Sequence, residues 1–198
     1  MRSKTTIADW LEAEPFALSM SSGFFGFFAH CGLMSVLEDR NLLPSRVSGS
    51  SAGALVAGLW SAGLSTGEIH DLLVAGKRED FWDPHLGFGL LRGERFRTLL
   101  RESLPVKDFS GCRVPLSLSV FSLPDLETRV LQEGPLVEAI YASCAVPGMF
   151  SPLKMDGSFC VDGGVRDRPG WQAFPDGERV FYHHLFEKKM CPLSSLMT

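Results

Sequence analysis

The sequence predicts an α/β protein in which a mostly parallel sheet is covered by helices on both faces. Short apolar runs suited to buried strands alternate with stretches that have the periodicity or the small-residue composition of helices. This alternation is typical of parallel sheets with helical crossovers. The 198 residues, of which 45% are hydrophobic and 21% charged, have the composition of an ordinary globular protein.

The first half of the chain predicts two strands, each followed by a helix. The predicted elements are a strand over 16–20, a helix over 24–39, a strand over 46–48, a helix over 52–62 and an amphipathic helix over 94–104. Ser65 and Glu68 have the spacing of a capping box, which predicts the start of one further helix. Residues 21–23 form the turn between the first strand and its helix.

The second half is richer in strand patterns. It predicts strands over 114–123 and 128–132, a helix over 136–144, a short strand pair around Asp156-Gly157, and a last strand over 179–185. No repeat, low-complexity stretch or linker interrupts the chain. We therefore expect a single domain over residues 1–198.

Charge and cysteine usage exclude several classes of function. The net charge is −4 at pH 7 and neither half of the chain is basic, so nucleic-acid binding is not expected. The five cysteines are widely spaced and form no C-x-x-C pair, which predicts neither a disulfide framework nor a zinc site. No signal-peptide core follows the N-terminus. A cytoplasmic protein is expected, with a location peripheral to a membrane or lipid droplet as the alternative.

Two runs without charged residues, 15–37 and 47–67, are long enough to span a bilayer. Serine and glycine cluster at the front of each run, which is typical of a turn that leads into a helix. The sequence therefore favours buried core helices over transmembrane segments.

A G-x-S-x-G pentapeptide, Gly49 to Gly53, lies between a predicted strand and a predicted helix. This is the context of a nucleophile elbow, a turn so tight that the flanking positions accept almost no side chain. The following helix directs its first amide groups to the same point, which favours developing negative charge. Ser51 is the central residue and the candidate nucleophile.

Two further segments carry candidate site residues. Residues 21–26 connect the first strand to its helix, so their backbone amides are candidate oxyanion donors. Asp162, followed by Gly163 and Gly164, stands at the end of an apolar strand, which leaves its carboxylate exposed at the strand end. Residues 142–152, which read A-S-C-A-V-P-G-M-F-S-P, precede this aspartate and form an unusually specific pattern.

Four motifs follow one another along the chain: the glycine loop of residues 21–26, G-x-S-x-G, A-S-x-A-x-P-G-x-F-x-P and D-G-G. Their order resembles that of the patatin-like phospholipases over residues 16–169. The resemblance implies a three-layer α/β/α sandwich and a catalytic dyad of Ser51 and Asp162, with no cofactor and no metal. It also implies an oxyanion hole on Ser22, Gly23 and Phe24 and a phospholipid or other lipid ester as substrate. The motif glycines are Gly26, Gly49, Gly53, Gly163 and Gly164. In the first helix, His30 and Gly32 match a common H-x-G pattern for which a packing role is expected.

The chain departs from the family pattern in the glycine loop. The usual Gly-Gly-Gly-x-Lys/Arg-Gly is here Ser21-Ser22-Gly23-Phe24-Phe25-Gly26, so that Phe25 replaces a basic residue. The asparagine-proline that usually follows D-G-G appears as Asp167-Arg168-Pro169 with altered spacing.

Two other functions remain open from the residues. An α/β-hydrolase would use a Ser-Asp-His triad, and His183 or His184 follows Asp162 in the order which that fold requires. A non-catalytic lipid-binding module with a degraded oxyanion loop is the second alternative. The phenylalanines of 24–28, together with Phe81, Trp82 and residues 86–91, suggest either core packing or contact with a lipid interface.

Overall fold

A computed structural model describes residues 6–185 as a mixed α/β fold with a central seven-stranded sheet. The elements in chain order are α1 (Ile7–Ala13), β1 (Ala17–Met20), α2 (Phe27–Asp39), β2 (Arg46–Ser50), α3 (Ala52–Ser61), α4 (Thr66–Ala75), α5 (Glu94–Ser103), β3 (Leu116–Ser122), β4 (Glu127–Leu131), α6 (Leu136–Cys144), β5 (Leu153–Met155), β6 (Ser158–Asp162) and β7 (Val180–His183). Three short 3₁₀ turns lie at Arg78–Asp80, Phe109–Gly111 and Gly163–Val165.

The predicted elements are present, with two instructive differences. The helix predicted to begin at residue 24 begins at Phe27, because Phe25 has a left-handed backbone (φ 58°) that ends the preceding turn. Helix α1 has no counterpart among the predicted elements, although Thr6 and Asp9 form its capping box. The capping box predicted from Ser65 and Glu68 is present at the start of α4.

One side of the sheet, from the edge strand β7 to β3, is parallel, and the other side is antiparallel. Strands β7, β1, β2 and β3 are parallel neighbours in that order. Strand β3 also pairs with β4 and β6 in antiparallel fashion, and β6 pairs with β5. The prediction of an α/β fold around a mostly parallel sheet is confirmed.

Strand β3 brings the ends of β2 and β6 together. Its residues 118 and 119 pair with both β2 and β4, and its residues 120–122 pair with both β4 and β6. Since a strand has only two edges, β2 and β6 must occupy the same edge, opposite β4. The parallel β2 ends where Ser50 pairs with Ser119, and the antiparallel β6 ends where Asp162 pairs with Val120. The two strands therefore meet end to end.

The two faces of the sheet differ in chemistry. One face is apolar and carries Leu18, Val47 and Leu118, and α3 and α6 pack against the sheet. All of α3 is buried, and α2 in turn packs on α3. The apolar segment 47–67 is thus largely a core helix. No helix of residues 6–185 is long and apolar enough to cross a membrane.

The other face carries a ladder of buried serines from the three central strands: Ser19, Ser48, Ser50, Ser117 and Ser119. The segment after β6 covers this face and satisfies several of these hydroxyl groups. Ser19 donates to the carbonyl of Pro169 (2.7 Å), Ser48 donates to that of Gly170, and Ser119 donates to the Asp167 carboxylate (2.6 Å). Asp167 is buried and is held there by hydroxyl and amide donors.

Candidate active site

The turn between β2 and α3 has the geometry of a nucleophile elbow. Ser51 has φ 53° and ψ −117°, a backbone conformation that a residue with a side chain rarely adopts. A Cβ at Gly49 would lie 2.5 Å from the carbonyl group of Gly53, and a Cβ at Gly53 would lie 2.1 Å from the carbonyl oxygen of Met20. Both glycines are therefore required by close backbone approach. The turn places Ser51 at the start of α3.

The Ser51 hydroxyl donates a hydrogen bond to Asp162 Oδ2 at 2.6 Å. The other carboxylate oxygen, Oδ1, accepts the amide of Gly164 at 2.7 Å, and this bond fixes the orientation of the carboxylate. The Asp162 amide donates to the carbonyl of Ala145 at 3.0 Å. The end-to-end meeting of β2 and β6 thus brings the two predicted residues into direct contact.

Burial raises the pKa of Asp162, and the hydrogen bonds from Ser51 and Gly164 oppose this shift only in part. The carboxyl group is 5% exposed and no salt bridge of the described residues includes it. A carboxylate with a raised pKa is a stronger base than an aspartate in water. This is the direction that helps a carboxylate accept a proton from a serine hydroxyl.

The predicted oxyanion loop lies beside the dyad. A Cβ at Gly164 would lie 2.8 Å from the Ser22 side chain, and one at Gly163 would lie 2.1 Å from the carbonyl of Ser119. These contacts pack the D-G-G turn between the loop and the sheet. The Ser22 amide donates to the carbonyl of Arg168 (2.8 Å). This hydrogen bond occupies the Ser22 amide and anchors the loop at that residue. The roles of Gly23 and Phe24 in an oxyanion hole stay predictions.

The remaining loop residues shape its outer surface. Gly26 precedes α2, its amide donates to the carbonyl of Gly23 at 2.8 Å, and a Cβ there would lie 2.1 Å from Leu185. Phe24 and Phe25 are about two-thirds exposed, and their rings contact each other edge to face at 4.6 Å between centroids. An apolar surface therefore borders the candidate site.

The base of the loop is held by a histidine pair. His30 Nε2 lies 2.8 Å from the carbonyl oxygen of Ser21, and His30 Nδ1 lies 2.8 Å from His183 Nδ1. Because a carbonyl only accepts, His30 carries its hydrogen on Nε2 and accepts from His183 through Nδ1. His184 instead lies 2.8 Å from the Tyr182 hydroxyl. The packing role expected for His30 agrees with its complete burial.

The chain also supplies contacts that sequence reasoning did not assign. The amide of Ser51 donates to Ser143 Oγ at 3.0 Å, and the Cys144 thiol donates to the Ser51 carbonyl at 3.2 Å. Both residues belong to the A-S-x-A-x-P-G pattern, which was recognised without a role for its serine. Within residues 6–185, no group of His, Cys, Asp or Glu side chains has an arrangement suited to a metal ion.

The fold and the elbow together define an α/β protein with a candidate serine nucleophile at the end of a central parallel strand. The family model described as "Patatin-like phospholipase" matches residues 18–174, and the chain belongs to this family. The solved structure of VipD from Legionella pneumophila superposes with a TM-score of 0.70 at 16% identity, over 85% of this chain and 49% of that one. This likeness supports the fold.

Three relatives illustrate the range of similar proteins. An uncharacterized NTE family protein of Mycobacterium tuberculosis is 30% identical over 76% of this chain and 43% of its own length. The uncharacterized protein YqhO of Bacillus subtilis is 27% identical over 73% of this chain and 62% of its own. The human omega-hydroxyceramide transacylase is 32% identical over 76% of this chain and 30% of its own. The match thus spans less than two-thirds of each of these relatives.

Proposed function

We propose that this protein is a serine acyl hydrolase that cleaves carboxylic esters of lipids with a Ser51–Asp162 dyad. The observation that carries the proposal is the 2.6 Å hydrogen bond from the Ser51 hydroxyl to Asp162 Oδ2 at the elbow. Membership of the patatin-like phospholipase family supports a lipid ester as the substrate.

The chemistry follows from the position of the two groups. Ser51 Oγ attacks the ester carbonyl carbon while its proton passes to Asp162 Oδ2. The carbonyl oxygen becomes an oxyanion, which the first amides of α3 and the amides of Gly23 and Phe24 stabilise. The intermediate collapses to an acyl-Ser51 ester, and the departing alcohol takes the proton from Asp162. A water molecule then attacks the acyl carbon while its proton passes to Asp162. The bond between the acyl carbon and Ser51 Oγ breaks, Oγ takes the proton back from Asp162, and the fatty acid is released.

The contacts of the histidines support a dyad rather than a triad. His183 pairs with Met20 of β1, and Met20 pairs with Gly49 of β2, so β1 separates His183 from the strand that carries the elbow. Adjacent strands are about 4.8 Å apart, which places the backbone of His183 about 10 Å from that of β2. Its Nδ1 is also engaged with His30. Asp162 contacts the nucleophile with no imidazole between them.

The first experiment is covalent labelling with a fluorophosphonate probe, followed by peptide mapping. A serine hydrolase of this kind labels at Ser51, and Ser51→Ala abolishes labelling together with ester hydrolysis. Ser61→Ala is the matched control, because it removes a buried serine hydroxyl that has no hydrogen-bond partner among residues 6–185. Absence of labelling at Ser51 in the folded protein would favour the non-catalytic lipid-binding alternative.

The same acyl-Ser51 ester can be released by water or by an alcohol. One relative bears the name transacylase, so the substrate panel includes a long-chain alcohol acceptor beside phospholipids, lysophospholipids, triacylglycerols and nitrophenyl esters. Free fatty acid as the main product supports hydrolysis. An ester of the added alcohol as the main product would replace hydrolase by acyltransferase while leaving the dyad in place.

Contact with a lipid surface is the second part of the proposal. Leu86 and Phe88 are almost fully exposed at the tip of a loop over residues 85–90. The base of this loop is fixed by two backbone hydrogen bonds. The amide of Leu90 donates to the carbonyl of Gly148 (3.0 Å), and the amide of Leu91 donates to that of Met149 (2.8 Å). Exposed apolar side chains on a loop anchored to residues 148 and 149 suit insertion into the surface of a lipid aggregate.

Vesicle binding separates this contact from the chemistry. Leu86→Ser and Phe88→Ser should reduce sedimentation with phosphatidylcholine vesicles and hydrolysis of vesicle lipid, while hydrolysis of a soluble nitrophenyl ester is unchanged. Val74→Ser is the control, since Val74 is also an apolar residue with most of its surface exposed (61%) but lies on α4. Unaltered vesicle binding in both loop variants would refute the contact.

A further inference from the structure

Three consecutive residues at the end of α6 bind the backbones of both dyad members. The Ser143 hydroxyl accepts the amide of Ser51 at 3.0 Å, and the Cys144 thiol donates to the carbonyl of Ser51 at 3.2 Å. The carbonyl of Ala145 accepts the amide of Asp162 at 3.0 Å. One short segment therefore contacts the nucleophile and the base at the same time.

The hydroxyl of Ser143 has its own fixed direction. It donates to the carbonyl of Ser119 at 2.7 Å, so its single hydrogen is used and a lone pair faces the Ser51 amide. Ser119 lies on β3, where it pairs with Ser50 and directly precedes the partner of Asp162. Ser143 thus ties the elbow to the strand that aligns β2 and β6.

The elbow needs such a tie because its backbone conformation is unfavourable. Ser51 has a positive φ, which surrounding contacts must hold in place. Ser143 is completely buried, so its loss would leave the Ser51 amide and the Ser119 carbonyl without this partner and without a replacement from bulk solvent. A shift of about 1 Å between reacting groups can reduce a rate about 100-fold.

We propose that residues 143–145 are the positioning element of the dyad and that the Ser143 hydroxyl is its essential side chain. This inference rests on the proposed function. Ser143 does not touch the substrate or accept the proton. It sets the distance between Ser51 Oγ and Asp162 Oδ2, and its removal slows the chemical step without changing the contacts that bind the lipid.

Two readouts test the proposal in the full-length chain with the variants Ser143→Ala, Ser143→Thr and Ser61→Ala. The first is the rate of fluorophosphonate labelling of Ser51, with kcat and KM for a nitrophenyl ester. Ser143→Ala should slow labelling and kcat about 10- to 100-fold with KM unchanged. Ser143→Thr retains the oxygen and should recover part of the rate. Ser61→Ala, which removes a hydroxyl without a partner in the same core, should be unaffected.

The second readout does not depend on activity. Amide hydrogen exchange in peptides that cover the elbow should accelerate in Ser143→Ala relative to Ser61→Ala, while exchange in peptides from α4 stays the same. Unaltered exchange at the elbow would refute the stabilisation of the elbow by the Ser143 hydrogen bonds, even if no ester is hydrolysed. Unaltered labelling of Ser51 with faster exchange would refute the positioning role and leave the proposed function intact.

The Asp162→Asn background distinguishes positioning from general destabilisation. If Ser143 acts through the distance between Ser51 and Asp162, its removal should slow a variant that already lacks the base by less than about threefold. An equal loss in both backgrounds would show that Ser143 supports the fold and not the dyad.

Discussion

Acidification should destabilise the fold through His30. This side chain is completely buried between the Ser21 carbonyl and the His183 ring. Burial and the neighbouring His183 lower the pKa of His30 from 6.5 to about 4, although the Ser21 carbonyl favours the protonated form. The unfolded chain therefore binds this proton more tightly than the folded chain. Stability should be fully present above pH 6.5 and should fall as the pH decreases toward 4.

The magnitude follows from the difference in pKa. One unit is worth about 1.4 kcal/mol, so the free energy of unfolding should decrease by about 2 kcal/mol between pH 7.5 and pH 5 and by about 3 kcal/mol by pH 4. The lowered pKa of His183 acts in the same direction. The raised pKa of Asp162 acts in the opposite direction, because protonation of that carboxyl group favours the folded state.

Urea denaturation at pH 7.5 and pH 5 measures this effect, with His30→Gln as the reference. Glutamine retains an amide N–H for the Ser21 carbonyl but does not titrate. The wild type should lose about 2 kcal/mol more than the variant over this interval, because the contributions of the groups that do not contact His30 cancel in the comparison. Equal pH dependence in the two proteins would contradict the assignment of His30 as a buried, neutral imidazole.

Three further predictions concern the dyad and its surroundings. Ser50→Ala should raise the free energy of unfolding by about 1 kcal/mol in urea titrations, because the buried Ser50 hydroxyl has no hydrogen-bond partner in the part of the chain that the structure describes. A loss of stability would mean that a partner exists in solution. Gly53→Ala should lower the free energy of unfolding by about 2–3 kcal/mol, since its Cβ would lie 2.1 Å from the Met20 carbonyl oxygen. An unchanged thermal midpoint would contradict the close backbone approach at the elbow. Treatment with a calcium chelator should leave ester hydrolysis unchanged, because the sequence has no loop with calcium-ligand spacing. Activity that is lost with the chelator and restored by added calcium would refute a dyad that acts without metal.

The sequence predicted the elements that carry the site because their signals are local. Glycines on both sides of Ser51, a strand before it and a helix after it are visible within a few residues. The resemblance of the motif order to the patatin-like phospholipases predicted Asp162 as its partner. The α/β class followed from the alternation of strand and helix patterns for the same reason.

The pairing that joins these elements could not be predicted, because it depends on contacts between distant parts of the chain. The meeting of β2 and β6 on one edge of β3 is a matter of strand register. The bond from the Ser51 amide to Ser143 connects residues 92 positions apart. The anchoring of the Ser22 amide by Arg168 is likewise non-local. The later start of α2 depends on the backbone of Phe25, which a helical pattern does not reveal.

The kinetics of Asp162→Asn test the central claim most directly. Asparagine keeps the shape of the side chain and removes the proton acceptor, so kcat/KM for a nitrophenyl ester should fall by about 1,000-fold, close to the loss caused by Ser51→Ala. The double variant should be no slower than either single variant, because one step requires both groups. His183→Gln and His184→Gln, tested separately, should each stay within about threefold of the wild type. A loss in either variant as large as that in Ser51→Ala, with the fold intact, would contradict the dyad and require a triad.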